Sequence, residues 1–331
     1  MERDTETGIA LAPLPRRFTL VAFALAAALL LAMLGELAGL IDHRLIRLSI
    51  AISPATLIAA ALAYLAGHVI RIVRLALLIG DSRLSLRQLI AVHFFTSAVN
   101  LGLPFKLGEL YRIGELSTVA FGAFNALVAV WVERCFDISL VLLLLLLAIG
   151  FGPASSGAYL AVLLISLLFV TVTLVVVTLV PDNLRRLGNH IIRRYEADWT
   201  IEALRRIAQA RGLFRQLSRM LQGRYASLAV CTLMIWMFEG LSLALILIGR
   251  ATPSAPITGL LTFLSSTVEG QTLPTRFAAL RMGEVTEMTM TYLMATQIPL
   301  LFAGLAAGIF LARQRIRLML TLGRMRRKVA S

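Results

Sequence analysis

Residues 100–116 read NLGLPFKLGELYRIGEL, with apolar sequence on both sides. Gly102, Pro104 and Gly108 interrupt the hydrophobic run, and Lys106, Glu109, Arg112 and Glu115 recur at three-residue spacing. Proline removes a backbone donor and glycine loosens the chain, so an unbroken helix is disfavoured here. In hydrocarbon such a break survives only where protein or an aqueous cavity satisfies the freed backbone groups. The competing reading is an extramembrane loop with solvated charges. The spans around the stretch decide between the two.

Those surroundings are not those of a soluble protein. The 331 residues are 59% hydrophobic and 15% charged, against about 25% charged in ordinary soluble domains. Apolar runs near the length of a bilayer crossing recur along the chain, which predicts an all-α polytopic membrane protein. The net charge of +14 comes from 32 basic and 18 acidic residues. Lysine occurs at 106 and 328 alone, so the excess is almost all arginine. A basic excess can mark nucleic-acid binding. Here the arginines flank apolar spans, so anionic headgroups and positive-inside topology account for them and nucleic acid is excluded. Cys135 and Cys231 lie in or beside spans without paired metal spacing and read as small packing residues. No metal or cofactor motif is present.

Residues 1–15 read as a short leader. The first span, 18–40, is too long for a cleavable signal. A second span, 49–72, ends in His68, Arg71 and Arg74, followed by Arg83 and Arg87, a cluster of the kind held in the cytoplasm. The break at 100–116 has short apolar flanks, 89–103 and 117–132. A long run follows at 129–150, then small turn residues at 151–157 and a span at 159–180 closed by Pro181. Residues 182–224 hold ten arginines and four acids, a net of +6, with apolar positions at helical spacing. They predict one or two amphipathic helices on the cytoplasmic surface, or a basic docking face. A span at 228–248 carries Glu239. Residues 257–284 are broken by Glu269, Gly270, Pro274, Arg276 and Arg281. A last span, 285–311, precedes a tail with seven basic residues and no acid.

The basic linker, arginine-rich loop and tail belong on one side of the membrane. With spans one and two paired, residues 89–125 must enter and leave on the cytoplasmic side, and 257–284 on the outer side. Two inverted repeats result, 1–152 and 153–331, with about six full spans and two re-entrant helical hairpins. The breaks share a form: Leu103-Pro104 then Lys106, and Leu273-Pro274 then Arg276.

Ionisable groups in such spans are costly unless they face the bundle interior. Lys106 and Arg112 offer a point charge and a planar fork suited to a phosphate, and Glu109 lies at i,i±3 from both. A salt-bridge network that fixes the hairpin is the structural alternative. Glu133 and Asp137 share one helix face at i,i+4 and need a cation between them, which Arg112 or Arg134 can supply. Glu239 reads as the most isolated acid, either hydrogen-bonded to a neighbouring helix or protonatable and coupled to transport. Glu269 and Arg276 are their counterparts in the outer hairpin. His93 reads as a core residue, with ligand contact the alternative.

With LGLPFKLGELYRIGEL followed by VWVERCFDISL, the chain resembles the lysylphosphatidylglycerol synthase transmembrane-region family, which includes the flippase domain of the multiple peptide resistance factor. Asn100, Leu103, Pro104, Gly108, Glu109, Arg112, Glu133, Arg134 and Asp137 match its pattern. Phe105 departs from it, standing where the family has glycine. Pro274, Gly283 and Glu284 fit the family's second break. The resemblance implies movement of a phospholipid, polyprenyl-phosphate-linked or hopanoid-type lipid between leaflets of the bacterial inner membrane, with both termini cytoplasmic. The 331 residues leave no room for an aminoacyl-transfer domain, so lysyl transfer is not expected. Expected partners are an anionic phospholipid or lipid-linked phosphate, with envelope-biosynthesis enzymes or a second copy compatible. The rival readings are a membrane transferase acting on a lipid phosphate, with Glu109 or Asp137 as base, and a scaffold that binds enzymes through 182–224.

Overall fold

A computed structural model describes residues 16–41, 53–80, 85–104, 107–117, 123–151, 157–195, 198–248, 272–275 and 291–330. Among them the regular elements are helices: α1 (Arg16–Ile41), α2 (Pro54–Ile79), α3 (Leu86–Gly102), α4 (Gly108–Leu116), α5 (Ala123–Phe151), α6 (Gly157–Arg194), α7 (Asp198–Leu221), α8 (Tyr225–Ile248) and α9 (Ile298–Ala330). A π-helical turn, Leu293–Gln297, leads into α9. Five of the helices are long and apolar enough to cross a membrane. The 29-residue α5 matches them in length but carries Glu133, Arg134 and Asp137. The outer hairpin expected at 257–284 lies outside the described residues except for 272–275, where Thr272 and Thr275 hydrogen-bond each other.

The chain divides into two compact units. One holds residues 14–73, 83–116 and 234–331. Here α3 lies against α9, and α1 packs on both. Gly304 and Gly308 permit that crossing. A Cβ on Gly304 would stand 2.1 Å from the Ala98 Cβ, and one on Gly308 2.9 Å from the Phe95 ring. Small residues four apart bring helix backbones together where lipid gives no hydrophobic drive to associate. Phe23 of α1 meets Phe95 with ring centres 5.0 Å apart. The Ser242 hydroxyl of α8 donates to the Ala60 carbonyl of α2 at 2.8 Å.

The interruption at residue 103 forms as the sequence predicts. A capping box starts α3: the Ser85 hydroxyl accepts from the Gln88 amide, and the Gln88 side chain accepts from the Ser85 amide. Leu103 ends it in extended geometry, φ −107° and ψ 134°, as expected of a residue before proline. The Leu107 amide donates to the Pro104 carbonyl at 3.1 Å, and α4 starts one residue later. The hairpin closes tightly, since a Cβ on Gly108 would lie 2.6 Å from the Asn100 Cα.

The other unit holds residues 1–13, 74–82 and 117–233. In it α5 packs on α6, and both contact α7. Two sequence expectations are corrected here. The apolar piece 117–132 is not a second hairpin arm: its latter part begins α5, which runs unbroken from Ala123 to Phe151, and the arm after the break is the nine-residue α4. Nor does Pro181 close the span expected at 159–180. The helix passes through it to Arg194, because proline forfeits one hydrogen bond while the turns on either side keep theirs. The amphipathic arm is therefore the end of α6 plus α7, whose Glu202 pairs with Arg205 and Arg206. At the far end of α2, Gly80 adopts φ +64° and the Arg224 guanidinium donates to the Leu77 carbonyl. That supplies a donor to a helix C-terminus that has run out of amides.

Candidate functional site

Each unit contains a buried ionic cluster, and α2 supplies the arginine at the centre of one and a principal arginine of the other. In the unit built on α5–α7, the Arg74 side chain is 1% exposed. Its fork reaches Asp137 at 2.6 and 3.2 Å, and Nη1 also donates to Thr232 Oγ1 at 2.9 Å. Glu133, equally buried, lies 3.6 Å from the Arg74 Nε. Arg134 approaches Asp137 at 3.4 Å from the same helix. The cation required between Glu133 and Asp137 is thus Arg74, not Arg112 or Arg134 alone. One turn separates the two acids on α5, and only a planar fork entering from another helix can address both.

In the unit built on α3 and α9, the acid expected to be isolated is paired: Glu239 of α8 binds Arg71 of α2 at 2.6 Å. His68, three residues before Arg71, is buried and meets His93 of α3, with Nδ1 and Nε2 3.0 Å apart. A contact of that length needs one nitrogen to donate and the other to accept. Arg71 and Arg112 are the cations that act on His68 through space. Arg112 is buried on α4 and reaches Glu109 at 3.5 Å. Further along α4, the Tyr111 hydroxyl donates to Glu115 at 2.6 Å. Arg315 of α9 also pairs with Glu115 and lies 4.3 Å above the Phe23 ring.

Of the residues singled out from sequence, Glu109 and Arg112 lie together on α4, and Asn100 faces Gly108 across the hairpin with its Oδ1 buried. Glu133, Arg134 and Asp137 gather on Arg74, and Glu239 gathers on Arg71. Lys106, Glu269 and Arg276 lie outside the described residues, as do Gly283 and Glu284. Sequence reasoning missed Arg71 and Arg74 by reading them as a cytoplasmic cluster, and Arg315 by reading it as tail. A signal for the first pair was present. His68, Arg71 and Arg74 recur every three residues, and the apolar run LALLI continues beyond them. Charges that merely end a span do neither.

A family model described as Lysylphosphatidylglycerol synthase TM region matches residues 19–275, well over half of the chain. The chain belongs to that family. Membership in the lysylphosphatidylglycerol synthase TM region family, together with five helices fit to cross a bilayer, makes this a lipid-related, multi-pass membrane protein. The matched range takes in both ionic clusters except Arg315. No curated protein and no solved structure matches the chain.

Proposed function

We propose that this member of the lysylphosphatidylglycerol synthase TM region family moves a phospholipid or lipid-linked phosphate between leaflets of the bacterial inner membrane. The observation that carries the reading is the interrupted hairpin α3–α4, which brings the buried Arg112 and its partner Glu109 into a unit where His68, His93, Arg71 and Glu239 are also gathered. Charged side chains in spans cost roughly 2.5–3.5 kcal/mol each on insertion scales, and they mark polar pathways more often than fold stability requires. On this reading Arg112 contacts the phosphate and Glu109 holds its guanidinium in place. Lys106, two residues ahead of α4, adds a second positive charge. The acyl chains stay in the bilayer beside the exposed leucines and valines of the outer helix faces. Both termini are cytoplasmic.

The test is leaflet exchange in reconstituted vesicles, read by quenching of a headgroup-labelled anionic phospholipid. Wild-type protein accelerates exchange over protein-free vesicles, and Arg112→Ala and Glu109→Ala each slow it at least about tenfold, the loss expected for a charge-assisted contact worth at least about 1.4 kcal/mol. Wild-type rates in both variants would defeat the assignment.

A further inference from the structure

The pairing of Glu239 with Arg71 leaves another group in the same unit as the natural proton carrier. We infer that His68 and His93 form a single-proton site that takes up one proton when an anionic lipid headgroup binds at Arg112; this rests on the translocation reading above. The geometry sets the stoichiometry. With Nδ1 and Nε2 in contact at 3.0 Å, the two rings share one N–H···N bond. One added proton leaves that bond in place and makes it charge-assisted, whereas a second would set two donors against each other. His68 Nε2 is buried and has no hydrogen-bond partner among the described residues, so an N–H or lone pair there is held out of water. Imidazole is the side chain whose ordinary titration falls near neutrality.

Charge balance couples that proton to a headgroup. Among the described residues, the titratable and charged groups tied to the pair are Tyr64 and Arg71 on α2 and Arg112 on α4, with Glu239 on α8 and Glu109 on α4 as the acids paired to the two arginines. Arg71 is balanced by Glu239 and Arg112 by Glu109. With neutral imidazoles this set carries no net charge. A protonated pair carries +1, matching a phosphodiester monoanion. A buried site tolerates neither an extra positive nor an extra negative charge alone, so proton and anion each favour the other's entry, and by linkage the effect is reciprocal. The lipid then crosses together with a proton, and a pH difference across the membrane biases its direction.

Proton uptake by purified full-length protein in weakly buffered detergent, followed with a pH dye near neutral pH, tests this, with binding measured in parallel by calorimetry. Dioctanoyl phosphatidylglycerol should bind and draw in about one proton per chain, while dioctanoyl phosphatidylcholine should draw in none. His68→Gln and His93→Gln should bind the anionic lipid more weakly than wild type and without uptake, and His190→Gln, on the surface arm, should behave as wild type. The wild-type comparison of the two lipids stands even if a core histidine variant fails to fold. Binding of phosphatidylglycerol to wild type without uptake would overturn the proton site and leave the translocation reading standing. Failure of any anionic lipid to bind would remove that reading itself. Equal uptake with acyl-free glycerophosphoglycerol would overturn assignment of the site to a lipid.

Discussion

Arg74 is held by two acids of α5 and a hydroxyl of α8, with almost none of its surface exposed. Removing one partner of such a buried network strands the others, which costs about 3–5 kcal/mol. Arg74→Ala should therefore lower the unfolding midpoint in detergent steeply. Arg74→Lys should recover only part of the loss, because a point charge cannot serve both carboxylates as a fork does. Glu202→Ala removes a solvent-facing pair with Arg205 and Arg206 and should stay within about 0.5 kcal/mol of wild type. Equal effects at 74 and 202 would mean that the α5 cluster contributes no more than a surface pair. The sequence exposes the need for a cation at Glu133 and Asp137, because two acids one turn apart cannot both ionise in an apolar span without one. It does not expose the donor, since the partner is brought from 63 residues away by tertiary packing. Glu239 and Arg71, 168 positions apart in the chain, are hidden for the same reason.

Among the elements, the break after Leu103 is legible because proline and glycine act locally on the backbone, whereas the capping box at Ser85 emerges only in the structure. The course of α6 through Pro181 is not. A proline disfavours helix by about 3 kcal/mol, yet here 24 residues precede it and 13 follow, all helical. Pro181→Ala should restore a hydrogen bond and raise the thermal midpoint, a change equivalent to at most about 3 kcal/mol. A lowered midpoint would show that the surrounding packing requires the proline. The α3–α9 crossing makes a second element-level test. Gly304→Ala forces a methyl into the Ala98 side chain and should destabilise by about 1–3 kcal/mol, as overpacking does. Gly114→Ala, with nothing within 4 Å of the added carbon, should be tolerated. A Gly304→Ala protein as stable as Gly114→Ala would rule out the close crossing.

At the scale of the molecule, apolar periodicity and arginine placement were enough to predict a helical, multi-pass chain, and the residues around 95–137 were enough to predict its family. What composition cannot convey is that many arginines near span ends turn inward. Positive-inside bias and buried ion pairing use the same residue at neighbouring positions, and only packing separates Arg71, Arg74 and Arg315 from the exposed arginines of the surface arm. The buried Arg112 and its partner Glu109 on the interrupted hairpin are the basis for proposing lipid translocation. The most direct measurement is the position of a co-purified anionic lipid in an experimental density map of the protein in lipid nanodiscs. The account predicts its phosphate within ion-pair distance of Arg112, with the acyl chains running out into the bilayer. Lipid density confined to the outer apolar faces, with solvent or side chains alone at Arg112, would contradict it.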